Sequence, residues 1–204
     1  YRGILHSAQP LIGLVHFLQL GVDKNLNDRV LTVLKSVWKN YLEPLTATNP
    51  FGFVPYGTYL SPKNNTDVFR KWKKLYYRNF MPDHSPQNIN HGLAGHWMSW
   101  AHALALMGKV FSDQKMNDAA FDQIFWLTGN NPYNASMITG CGYNHPMPHS
   151  RFLGNFPGGF MIGFIGLKDD MPFLDIAGNA QWNTTEYWNT PNANCMMALA
   201  ELLL

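Results

Sequence analysis

Leu93-Ala94-Gly95-His96-Trp97-Met98-Ser99-Trp100-Ala101-His102-Ala103-Leu104-Ala105-Leu106-Met107 is the stretch from which the architecture can be read. Leu93, Trp97, Trp100, Leu104 and Met107 follow one another at intervals of three and four, the repeat of one helical face. Ala94, Ala101, Ala103 and Ala105 spread apolar surface around the remainder. A helix that is apolar on nearly every side belongs in the middle of a domain. This one, entered through Asn90, is therefore expected to be almost wholly buried.

Helical periodicity continues outward from it. Upstream, Val30, Leu34, Val37 and Tyr41 form a stripe, with Asn27 as its N-cap and Thr32, Lys35, Ser36 and Lys39 on the wet side. Downstream, a helix over about 118–128 stops at Gly129-Asn130-Asn131-Pro132, a strong breaker. A last helix starts at Pro191, a residue suited to a first helical position, and runs to the end. Strand-like alternation is scarce, and 159–167 reads as a short strand or hairpin rather than a sheet. The fold class is all-α, with five or six helices in one domain over residues 1–204. Two long loops, 49–65 and 129–182, are rich in Gly, Pro, Asn and aromatics, and structureless loops of that length are usually functional.

Composition narrows the function classes. Charged residues make up 14% of the 204 and aromatics another 14%, which excludes intrinsic disorder. The formal net charge of +2 is too small for a nucleic-acid footprint. The basic run Arg70-Lys71-Trp72-Lys73-Lys74 with Arg78 reads as a solvated helix face. Neither apolar run, 11–20 or 160–167, approaches the roughly 20 residues that span a bilayer. No nucleic-acid or membrane partner is expected. Cys141 and Cys195 permit one bridge, but two buried thiols are the preferred reading. The chain opens on Tyr1 without a recognisable signal segment and reads as a piece of a longer precursor. Sequons at Asn64, Asn134 and Asn183 point, weakly, to a secreted glycoprotein.

Two blocks carry chemistry. The first holds Gly129-Asn130-Asn131-Pro132, Ser136, Gly140-Cys141-Gly142-Tyr143-Asn144 and Pro148-His149-Ser150-Arg151. In the second, Trp182 stands four residues before Glu186, and Asn192-Ala193 follow six and seven residues after it. From Asn88 to the end the chain resembles glycoside hydrolase family 9, the (α/α)6-barrel cellulases and their relatives. The resemblance implies the C-terminal half of such a barrel, with Glu186 as the catalytic acid and His149 and Arg151 holding sugar at the cleaved bond. Three departures mark a divergent branch. The spacing from Asn144 to Pro148 is one residue short, Thr185 replaces an Asn, and Trp188 stands where the family has a small residue.

The residue types support that chemistry independently. Inverting hydrolysis needs one carboxylic acid for the leaving oxygen and one carboxylate to activate water. Burial against Tyr187 and Trp188 favours a neutral Glu186, and the helix that follows opposes this more weakly, so a partly protonated acid is expected. His149 and Arg151 share a face of an extended backbone. Trp182, Tyr143, Tyr187 and Trp188 are candidate platforms for sugar rings, although an aromatic taken singly is more often core.

Other constellations are weaker. His91, His96 and His102 do not share one helical face, so no metal site is expected there. Asp169, Asp170 and Asp175 could offer oxygens to a structural calcium, with a solvated turn the preferred reading. No phosphate loop, dinucleotide fingerprint, nucleophile elbow or zinc helix occurs, and no other cofactor is expected. The family's water-activating Asp motif has no counterpart, since Asp23, Asp28, Asp67 and Asp83 lack its surroundings. The expectation is a secreted glycosidase acting on a β-glucan or related polysaccharide, completed by a missing N-terminal half or a partner chain that covers bare helix faces. The alternatives are an inactive carbohydrate-binding or structural descendant of the same fold and, less favoured, an (α/α)6 polysaccharide lyase.

Overall fold

The computed structural model describes residues 7–82, 91–142, 144–149, 155–174 and 182–204. Among these, five long helices form the scaffold: α1 (Gln9–Leu20), α2 (Lys24–Val37), α4 (Ala94–Phe111), α5 (Gln114–Thr128) and α7 (Asn189–Leu203). A π-helical turn, Trp38–Leu42, carries α2 into the short α3 (Glu43–Thr46), and α6 is the single turn Trp182–Thr185. The central helix is α4, which packs against α5, α7 and α1. Every residue from Ala94 to Gly108 is buried, as its all-round apolar sequence requires. Two cores meet on it. One holds Leu11, Val15, Leu34, Trp38 and Leu104, and the other is built on rings. In the second, Trp126 lies 4.5 Å from Phe53, 4.9 Å from Phe164 and 5.8 Å from Trp97, centroid to centroid. These tilted and edge-on contacts suit ring quadrupoles better than face-to-face stacking.

Helix ends differ from expectation where a better cap lies nearby. The helix carrying Val30 and Leu34 begins at Lys24, not Asn27: Asp23 is extended and its carboxylate accepts the Leu26 N–H at 2.8 Å. The last helix starts at Asn189, two residues before Pro191. The run 11–20, read only as too short for a membrane, is α1, stopped by Gly21 at φ 61°. No helix among the described residues is long and apolar enough to cross a membrane. Cys195 is buried and Cys141 exposed, both as free thiols, so the expected pair of buried thiols holds for one of them only.

The basic run is not a helix face. Strands β1 (Gly57–Tyr59), β2 (Arg70–Trp72) and β3 (Leu75–Arg78) form an antiparallel sheet in the order β1-β3-β2. Lys73, at φ 53°, makes the tight turn between β2 and β3. Tyr76 and Tyr77 favour a pleated surface, and Trp72 packs edge-on against Tyr41 at 6.0 Å. Arg78 ends this sheet with a wholly buried guanidinium. It donates to the Val68, Lys168, Leu167 and Phe80 carbonyls at 2.9, 3.1, 2.6 and 3.3 Å.

The counter-charges of Arg78 are Asp170 at 3.5 Å and Asp67 at 3.9 Å. Asp170 also accepts the Asn79 and Phe80 N–H groups and pairs with Arg70 at 3.4 Å. Burial pushes its carboxyl pKa up, while those two N–H groups and the two arginines pull it down. Of the expected solvated turn, Asp169 is exposed, whereas Asp170 is a buried anchor. Strands β4 (Ile165–Gly166) and β5 (Pro172–Phe173) flank that turn.

On the outer side of α7, Met196 and Leu203 each keep 70% of their surface exposed.

Two stability measurements follow from the buried polar groups. Arg78→Leu leaves Asp170 and Asp67 without their cation and is expected to cost about 3–5 kcal/mol in urea unfolding. His96 sits fully buried, its Nε2–H donating to the Val54 carbonyl while Nδ1 accepts from the Ser7 hydroxyl at 2.6 Å. Burial outweighs its bonds to Val54 and Pro55 and lowers its pKa from 6.5 to about 4. The unfolded chain therefore binds the proton first as pH falls. His96 removes about 3 kcal/mol of stability between pH 6.5 and pH 4. Unfolding at stepped pH is expected to show that loss, and His96→Asn to flatten it.

Candidate active site

The long loop between α5 and α6 is held in place by a backbone ladder. Thr139 N–H donates to Gly159 O, Met161 to Met137, Ile162 to Glu186, Gly163 to Thr184, and Trp188 to Phe160. The same central segment receives the start of α4, where Leu93 N–H donates to Phe164 O and Ala94 N–H to Ile162 O. These carbonyls satisfy amides at a helix start that has no side-chain cap. Gly92 makes this approach feasible, since a Cβ there would overlap the Ile162 carbonyl.

Most of the first block staples this loop. The Asn131 side chain donates to Trp126 O and Ala135 O and accepts from Tyr133 N and Ala135 N, closing the turn after α5. Asn144 Nδ2 reaches the Tyr133 and Asn134 carbonyls, and Ser136 N–H donates to Asn144 O. Gly140 and Gly142 adopt φ of 77° and 76°, where a side chain would be strained. In the second block, Asn192 accepts Phe160 N–H and donates to Gly158 O, joining α7 to the ladder.

The structure brings His149, Trp182, Glu186 and Trp188 together. His149 N–H donates to Thr185 O at 2.9 Å, and His149 pairs in parallel with Glu186. Glu186 is half-buried, and its Oε2 accepts the Trp188 indole N–H at 2.7 Å. Trp188 thus meets the carboxyl group through its polar N–H, not only through an apolar face. Tyr187 points to the opposite side, where its hydroxyl bonds Thr139 Oγ1 at 2.6 Å and accepts Phe156 N–H at 3.2 Å. That commits its ring to holding the loop. Trp182 keeps 42% of its surface open. Tyr143 and Arg151 lie outside the described residues.

One neighbour was missed. His91, just before the first turn of α4, packs its ring 5.2 Å from Trp182 and 5.4 Å from Trp188. Burial lowers its pKa, and the charge of Glu186 raises it in part. The sequence offered only its place at the mouth of a buried helix. His96 is bonded to Ser7 and Val54, and His102 to the Asn194 side chain, so each has a partner other than His91.

No group of three or more His, Cys, Asp or Glu able to hold a metal occurs among the described residues. Asp170 is committed to arginines, and Asp175 lies outside those residues. Of the sequons, Asn134 is exposed, Asn64 is tied to Thr66 and Asp67, and the carbonyl of half-buried Asn183 accepts Gly92 N–H. A cavity of about 300 Å³ opens among Phe51, Phe53, Arg70, Asn79 and Trp126, and neither Glu186 nor His149 lines it.

The chain is similar to known proteins. The family described as "Glycosyl hydrolase family 9" matches residues 33–163, more than half of the chain, beginning well upstream of the first block and ending before Glu186. The cellulase Cel9M of C. cellulolyticum, solved in complex with cellobiose, is 20% identical with a TM-score of 0.58. That match covers 94% of this chain and 38% of the Cel9M chain. The catalytic domain of Clostridium thermocellum CelT is 21% identical over 61% of this chain and 28% of its own, with a TM-score of 0.45. No curated protein matches the sequence. The Cel9M likeness makes the helices part of an (α/α)6 barrel, and the chain belongs to glycosyl hydrolase family 9.

Proposed function

We propose that this chain supplies the acid-bearing, C-terminal part of a secreted, inverting glycoside hydrolase that cuts a β-glucan or a related polysaccharide. The observation that carries this reading is the cluster around Glu186. The Glu186 backbone is bridged to His149 and its carboxyl group accepts an indole hydrogen bond, beside a partly open Trp182. An indole face suits the C–H face of a pyranose, and His149 with Arg151 suits its hydroxyl groups. Glu186 gives its proton to the leaving oxygen. A carboxylate from another part of the barrel, on the opposite side of the sugar at roughly 6.5–9.5 Å from Glu186, activates the water. The exposed Met196 and Leu203 side of α7 is where that remainder packs.

A second reading, a sugar-binding descendant without catalysis, draws on Trp188, which occupies a position held by a small residue in the family. One experiment separates the two. In the full-length polypeptide, Glu186→Gln is expected to lower kcat on cello-oligosaccharides by about 10²–10⁴-fold while oligosaccharide binding and helical content persist. The released anomer, followed by proton NMR, is expected to have the opposite configuration to the substrate bond. Undiminished turnover by the variant overturns the acid assignment. Binding with no turnover in the unmodified protein supports the second reading.

A further inference from the structure

The family resemblance gives no reason for an indole two residues after the acid. The ladder on which Glu186 sits does. Glu186 O accepts Ile162 N–H and Trp188 N–H donates to Phe160 O, so the backbone of 186–188 is extended and pinned at both ends. Side chains two apart on such a segment share a face. Glu186 and Trp188 therefore lie side by side, while Tyr187 is tied down on the other face by Thr139 and Phe156. The 2.7 Å bond from Trp188 Nε1 to Glu186 Oε2 is the direct product of that register.

The indole is itself braced. His91 stands 5.4 Å from Trp188 and 5.2 Å from Trp182, ring to ring. Its backbone is fixed next door, because Gly92 N–H donates to Asn183 O at 2.9 Å and Ala94 N–H to Ile162 O at 2.8 Å. Ile162 is thus bonded on one side to the start of α4 and on the other to Glu186. His91 and Glu186 are both referred to the backbone of Ile162, and the Trp188 ring meets both, bonding Glu186 and lying 5.4 Å from His91.

We propose that Trp188, braced by His91, is a positioning residue for the Glu186 carboxyl group: its N–H holds Oε2 and so presents Oε1 as the oxygen that carries the proton to the scissile bond. The proposal rests on the reading of Glu186 as the acid. A free glutamate rotates about three side-chain bonds, and holding one in a single geometry costs rotamer freedom. In an active site a misplacement of about 1 Å can cost 100-fold in rate. One hydrogen bond from a wedged ring removes that freedom before substrate arrives.

The test is kinetic, on the full-length polypeptide with cello-oligosaccharides. Trp188→Phe keeps a ring in the wedge and deletes the N–H. It is expected to lower kcat about 10–100-fold with KM within about twofold of the parent. His91→Ala is expected to behave similarly, and His91→Phe, which restores a ring, to recover most of the rate.

A second readout needs no turnover. Solvent exchange of the Trp188 indole proton, read by NMR, is expected to speed up at least about tenfold in Glu186→Ala and His91→Ala. An unchanged exchange rate in both variants overturns the proposal. So does a raised KM with kcat intact in Trp188→Phe, which would make the indole a sugar platform instead. Glu186→Gln, run in parallel, separates the layers: if it is inactive while Trp188→Phe is unimpaired, positioning fails and the acid stands. Full turnover by Glu186→Gln removes both.

Discussion

The backbone of Ile162 is the joint on which the rest depends. Its N–H goes to Glu186 and its C=O takes the first amide of α4, so one residue couples the buried central helix to the segment that carries the candidate acid. Both bonds lie against groups with little access to water, where an unpaired amide or carbonyl costs about 1–3 kcal/mol. The tight packing follows from it: Gly92 has no room for a side chain, and Phe164 two residues on seats its ring on Trp126. The geometry of the candidate site inherits the stiffness of a helix although it is built from loops, which is what a site made of long connections requires.

The helices were legible because their signal is local and repetitive. Leu93 to Met107 states its own burial, and Gly129 to Pro132 states where α5 ends. The family assignment was legible too, from motif residues that turn out to be fasteners: Asn131, Asn144 and Asn192 each close a turn or join two segments through side-chain amides. What could not be read was of another kind. The hairpin at 70–78 has Lys and Arg where a helical face would also have them, and only the partners of Trp72 and Arg78, distant in sequence, decide between strand and helix. His91 carried no periodic signal at all, since its neighbours Trp182 and Trp188 are about ninety residues away.

Electrostatics divides the molecule in two. Around Arg78 the guanidinium, Asp67 and Asp170 are buried and paired, and carbonyls surround the guanidinium, an arrangement that fixes structure. Around Glu186, among the described residues, a half-buried carboxyl group accepts the Trp188 indole N–H, and the nearby Trp182 still faces solvent. Pairs that satisfy each other are structural, whereas a carboxyl group beside an open aromatic ring is a candidate for chemistry.

The Arg78 arrangement also has a consequence for how the chain reaches its shape. The strands that deliver this residue are local, but two of its carbonyl partners and one carboxylate come from 167–170, some ninety positions later. During synthesis at about 5–20 residues per second the early hairpin waits several seconds with a hydrated cation at its end. Closure of so large a loop is entropically slow, and no burial is gained until it is complete. The N-terminal and C-terminal portions of this polypeptide are thereby made to finish together, in one late step.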